Sequence, residues 1–210
     1  MMRDRFWMFV LLSVFLTGIL TAALIPERYV MQMIDAERES NYTFLGYETA
    51  RHTEGRAERW FERLFIRTGM MDATYQVTTS DQQAPAGSVA EEHMERALNW
   101  AEGRVRVLWV AMFQLLVRIS VALMWLPLAL LIFTPFVIDA LVSRQIKANN
   151  FAITSPHLHA IGARAIFWIA LGYGVLQFLP LKLHPVWTPT FIGVTAMAAW
   201  LGISQFAKRA

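Results

Sequence analysis

The side chains whose type and spacing could do chemistry are few, and they sit in a strongly apolar sequence. His157 and His159, in SPHLHA, come closest to a metal site. Metal sites ordinarily take three or four protein ligands, and two imidazoles with no acid nearby fall short, so loop or interfacial histidines are expected and no metal or cofactor is. Gln114 and Arg118 stand four residues apart, as do Tyr173 and Gln177, so each pair shares one helix face. Such pairs either line a polar path through a membrane or hydrogen-bond between helices. A carrier would show acids inside its apolar stretches, whereas Asp139 stands at the edge of one, which favours the second role. The sequence has no cysteine and no Gly-x-x-x-x-Gly-Lys, Gly-x-Ser-x-Gly or His-Glu-x-x-His pattern, so an enzyme is not expected.

The elements that must position these groups are membrane helices. Over 210 residues the hydrophobic fraction is 56% and only 17% are charged, too apolar for an ordinary soluble domain. Residues 6–25 are 20 uncharged residues, a spanning length. Their apolar run exceeds that of a signal peptide, so an uncleaved anchor is expected. Residues 107–138 hold a single charge, Arg118, and are longer than a bilayer needs. In one register the span is 119–138, with Arg118 and Asp139 at opposite interfaces. In the other it is 109–133, and Arg118 must find a partner inside. The first needs no unseen partner and is preferred. Residues 165–181 and 187–206 read as a third and fourth span, joined by the short link KLHPVWTP.

Basic residues near short loops set the orientation. Arg3 and Arg5, then Arg144, Lys147 and Arg164, then Lys208 and Arg209 all fall on one side, which the positive-inside rule makes the cytoplasm of a bacterial inner membrane. The long segment 26–104, with 14 acids against nine basic residues, then lies in the periplasm. It reads as a helical hairpin. Met94, Ala97, Ala101, Val105, Leu108 and Met112 form an apolar stripe entering the second span, and Ser88 with Glu91 is a capping-box pattern. Ala50, Ala57 and Leu64 repeat by seven beside Trp60 and Phe61. Residues 78–88 read as the turn, and a break is expected within 41–46. The expected fold class is all-α: a polytopic membrane protein with four transmembrane helices and a periplasmic helical hairpin. Its parts are a tip and first span (1–25), the hairpin (26–104), a helix entering the membrane as span two (105–138), a cytoplasmic loop (139–164), and spans three and four with a cytoplasmic C-terminus (165–210). The loop's three cations are too few to hold nucleic acid by counterion release. Small residues in span four, Ala198 and Gly202 among them, suit close helix packing.

The stretch PFVIDALVSRQIKANNFAITSPHLHAIGARA, 135–165, resembles a family of inner-membrane proteins of conjugative plasmids and integrating conjugative elements. These are four-span proteins often encoded beside the type IV coupling protein. The matching positions are Asp139, Ala140, Leu141, Val142, Arg144, Lys147, Ser155, Pro156, His159 and Ala160, with Ala140 standing where the family usually has glycine. The resemblance implies an accessory subunit that binds and braces the hexameric coupling ATPase of a type IV secretion system, with other channel subunits as further partners beside the lipid bilayer. Partner contacts are then expected at Asp139, Arg144, Lys147, Arg118, Trp60, Phe61, Ala198 and Gly202. The alternative is a small transporter or channel component with Arg118 and Tyr173 along its path.

Overall fold

A computed structural model describes residues 25–79, 89–150 and 156–206, and among them every regular element is helical. The helices are α1 (Glu27–Leu45), α2 (Tyr47–Phe61), a π-helical turn (Glu62–Ile66), α3 (Met70–Thr79), α4 (Val89–Met124), α5 (Leu126–Asn149), α6 (Pro156–Phe178) and α7 (Trp187–Ser204). They form two compact units. The first runs through Ser120 and takes back Phe178–Lys182; the second holds Val121–Gln177 and the chain from Leu183.

In the first unit α1 ends because Gly46 adopts φ +80 and ψ 157, a region essentially closed to residues with a Cβ. This is the interruption expected within 41–46. Helix α4 carries the core of the unit. Along α1 it runs parallel: Arg104 donates to the Ile25 carbonyl at 2.8 Å, Arg106 lies 3.7 Å from Glu27, and further down Arg118 meets Glu37. Val30, Met33 and Val107 form the apolar centre between them. Helix α2 runs the other way, with Thr53 at Ser120 and Phe61 against Trp109 and Phe113.

Two sequence patterns shift here. Ala50 and Ala57 are buried, but Leu64 is half exposed. The π turn intervenes, with Arg67 N–H reaching the Glu62 carbonyl at 2.8 Å, and an i→i+5 bond displaces everything after it around the helix axis. In α4 the apolar stripe through Ala101, Val105, Leu108 and Met112 is only half-buried. The face that is buried runs through Val107, Gln114, Val117, Arg118 and Val121, and so includes the two polar residues that an apolar pattern passes over.

In the second unit α5 packs on α7. Asp139 meets Trp200 and Lys147 meets Ser204, so contacts advance together and the two helices are parallel. Helix α6 is antiparallel to α7: His159 and Gly162 lie at Gly202, and Tyr173 lies at Thr188.

Among the described residues three helical stretches are long and apolar enough to cross a membrane: Trp100–Met124, Leu126–Lys147 and His157–Phe178. This corrects the expected set of spans. The run 107–138 is not one helix but two, meeting at Trp125. That residue stays in the right-handed helical region while its N–H bonds back to Ala122, so the joint is a kink one residue long. Pro127, which has no N–H to give the helix, follows at once. The third span begins at Pro156 and stops at Phe178, and the loop expected over 139–164 is helical at both ends. Helix α7, expected as a fourth span, has 18 residues and is not among the three. The expected first span lies outside the described residues except for Ile25, as does most of the expected hairpin turn. Where two hairpin arms were expected, the described part of 26–104 holds α1, α2, the π turn, α3 and the start of α4.

Candidate functional site

The most constrained polar site lies on α4. Arg118 is 6% exposed and its guanidinium is held on every edge. Nε donates to Glu37 Oε1 at 2.9 Å and one terminal nitrogen to Glu37 Oε2 at 2.7 Å, a bidentate pair. The same nitrogen reaches the Leu181 carbonyl at 2.6 Å and the Met33 sulfur at 3.6 Å, and the other reaches the Leu179 carbonyl at 2.8 Å. Glu37 is 2% exposed. A buried ion pair must recover several kcal/mol of lost hydration for each ion, which it does only when its remaining donors are also satisfied. Here the donors tie α1 to α4 and to the short segment after α6.

Two residues further along α4 a second polar knot forms. Arg56 Nε donates to Ser120 Oγ at 2.8 Å and a terminal nitrogen to the Ser120 carbonyl at 2.6 Å, while Ser120 Oγ donates to the Thr53 carbonyl at 2.7 Å. Trp60 receives the Arg56 guanidinium on its ring face at 5.7 Å, and Phe61 makes edge contacts with Trp109 and Phe113. Among the residues expected at a partner contact, Arg118, Trp60 and Phe61 are therefore engaged within this unit.

The remaining ones gather around α7. The Trp200 indole donates to Asp139 Oδ2 at 2.6 Å. Lys147 Nζ donates to the Ser204 carbonyl at 3.3 Å, and His159 Nδ1 lies 2.8 Å from the Gly202 carbonyl, which requires that nitrogen to carry the proton. Arg144 stacks over the Phe206 ring at 4.9 Å. Lysine and histidine thus cap carbonyls at the negative end of the α7 dipole. Ala198 and Gly202 face Gly162: a Cβ at Gly162 would fall 2.5 Å from Gly202 N and 2.9 Å from the Ala198 carbonyl oxygen. Their small-xxx-small spacing receives a helix of the same chain. His157 is exposed, and among the described residues no three His, Asp or Glu side chains group as metal ligands would.

Residues in both halves of the run 135–165 that carried the family resemblance, Asp139 to Lys147 and His159 to Gly162, therefore help hold α7 in place. A family model described as IncC plasmid conjugative DNA transfer protein DtrJ-like matches residues 22–207. The chain belongs to the DtrJ-like family. Its members are conjugative DNA transfer proteins, and this chain is involved in that process. No curated protein and no solved structure matches it.

Sequence reasoning missed two functional partners in this DtrJ-like chain. Glu37 sits in α1, whose surface is crowded with charge, and nothing in its spacing separates it from Asp35 or Glu39. Gly162 lay inside the quoted motif, but only the backbone approach of Gly202 reveals its role.

Proposed function

We propose that this DtrJ-like protein is an accessory inner-membrane subunit of a conjugative type IV secretion system that binds and braces the hexameric coupling ATPase. The carrying observation is the family match over residues 22–207. Exposed apolar surface on two membrane-length helices supports the reading: Leu126, Leu130, Leu131, Ile138 and Leu141 on α5 and Ile161, Phe167 and Trp168 on α6 stand open. These faces suit lipid and a partner's membrane helices, where close packing rather than hydrophobic transfer drives association. The protein acts by assembly and not by catalysis, with its termini and the α5–α6 connection on the cytoplasmic side, as the distribution of Arg and Lys favours.

The reading of a transporter or channel component has less support. A path needs polar groups that water or solute can reach, and the donors of Arg118 are spent on Glu37, Leu179 and Leu181, while Tyr173 hydroxyl bonds Thr188 Oγ1 at 2.9 Å. The test is to purify the protein from donor-cell membranes in mild detergent. A coupling ATPase is expected in near-stoichiometric amount; recovery without it overturns the bracing role.

A further inference from the structure

The end of α7 collects positive charge that, among the described residues, no acidic side chain pairs with. Three cationic or proton-bearing side chains from two helices converge there. Arg144 from α5 and His159 from α6 both contact Phe206, each at 4.9 Å, and Lys147 reaches the Ser204 carbonyl. After Asp139 the sequence contains no Asp or Glu at all, and Asp139 itself turns one oxygen to the Trp200 indole and makes no ion pair with Arg144 or Lys147. Among the described residues the edge donors of Arg144 meet no acceptor, because its one partner there takes the ring-facing side of the guanidinium. An ammonium carries three donors, of which the Ser204 carbonyl uses one. Both cations are half-buried, so they are held in place rather than trailing in solvent.

Charge held this way attracts an anion, and the flanking surface says which kind. Beside the cluster, Leu141, Val142 and Ile146 on α5 and Leu158 and Ile161 on α6 are exposed and apolar. An anion with hydrocarbon tails fits both surfaces at once; a free anion uses only the first. We propose that Arg144 and Lys147 bind the phosphate of an anionic phospholipid, with its acyl chains along the apolar faces of α5 and α6. The planar edge of Arg144 forms paired hydrogen bonds to phosphate oxygens while Phe206 supports its face, and Lys147 contributes a point charge. The site rests on these helices lying in a bilayer and does not depend on the identity of any protein partner.

The experiment uses the full chain in nanodiscs of phosphatidylcholine with or without phosphatidylglycerol, counting co-purified phosphatidylglycerol by mass spectrometry. The wild type is expected to enrich phosphatidylglycerol over its share of the bilayer, with enrichment falling as salt is raised. Arg144→Gln and Lys147→Gln should each reduce the preference about fivefold, the factor one basic group near an anionic leaflet is worth. Arg144→Lys with Lys147→Arg should retain most of it, and circular dichroism reports whether each variant is folded. If the neutral variants do not fold, the wild type decides alone: no enrichment, or enrichment indifferent to salt, overturns the site. It is overturned equally if the folded neutral variants keep the preference, or if inorganic phosphate displaces the lipid as well as glycerophospholipid does. Loss of coupling-ATPase recovery in those variants with lipid enrichment intact would assign the cluster to an acidic protein surface instead.

Discussion

Helix α4 from Trp100 to Met124 and helix α5 from Leu126 to Lys147 have nearly the same length and the same apolarity, and they differ in what covers them. Within the most apolar window of α4, 44% is buried by other parts of the protein; in that of α5, 6% is. The helices that cover α4 are α1 and α2, which carry Arg38, Glu39, Glu48 and Arg51 on exposed positions. Lipid does not tolerate such a coat, since each charge deep in a bilayer costs about 3 kcal/mol or more. The apolar residues of α4 up to Ser120 are thus packed inside a unit whose covering helices carry charge on their outer positions. Those of α5 are a surface awaiting lipid or another helix. Apolarity alone does not separate the two cases; the company a helix keeps does.

The sharpest contrast is accessibility. The chain has no cysteine, so single substitutions place a unique probe. Leu131→Cys, at a position 71% exposed, is expected to contact lipid-phase quenchers in reconstituted membranes, and Val117→Cys, at a position 4% exposed, to be silent to both lipid-phase and aqueous reagents. Equal quenching at the two sites would erase the distinction between core and span.

Next in size is the cost of unpairing the charge within α4. Arg118→Leu leaves Glu37 buried without its partner, and loss of one member of a buried pair costs about 3–5 kcal/mol. Thermal unfolding should show a large fall. Arg118→Leu combined with Glu37→Leu should recover part of it, because the stranded charge is then gone. If the single variant is as stable as wild type, the pair is not a stabilising centre of this unit.

On the other side of the comparison, Gly162→Ala tests the α6–α7 crossing. The new methyl meets backbone atoms of Gly202 and the Ala198 carbonyl, which cannot rotate away as a side chain would. A loss of about 1–3 kcal/mol is expected, the usual range for overpacking. Gly172→Ala, where a Cβ meets nothing within 4 Å, is the control and should be neutral.

How much of this was legible follows from which interactions are local. The long helix from Val89 shows in the sequence because apolar residues recur from Met94 to Met112 behind the Ser88–Glu91 capping pattern, and the break at Gly46 shows because glycine interrupts a helical pattern. The division of 107–138 does not show, because every residue around Trp125 is apolar and Pro127 can stand in a first turn as well as at a kink. Arg118 reads as an interfacial residue so long as Glu37, 81 positions away, is out of sight. Asp139, Arg144 and Lys147 are conspicuous as isolated charges, but their contacts on α7 and at Phe206 just past it lie 57 to 62 positions further on.

The smallest effect tests the coat itself. Arg38 donates to both oxygens of Glu54, at 2.9 and 3.0 Å, and Tyr42 hydroxyl donates to the same carboxylate. The hydrogen bond to Glu54 is the main reason the Arg38 pKa is raised. A raised pKa on a cation means its stabilisation is complete below the unfolded-state value and fades only as pH climbs through the folded one, far on the alkaline side. No pH dependence near neutrality should therefore come from Arg38. Its side chain is 59% exposed, so solvent screening limits Arg38→Gln to about 0–1 kcal/mol, and added salt should shrink even that. A loss as large as that of Arg118→Leu would mean that the outer face of α1 and α2 is not turned to water, and α4 would then have to be counted with α5 among the helices that meet the membrane.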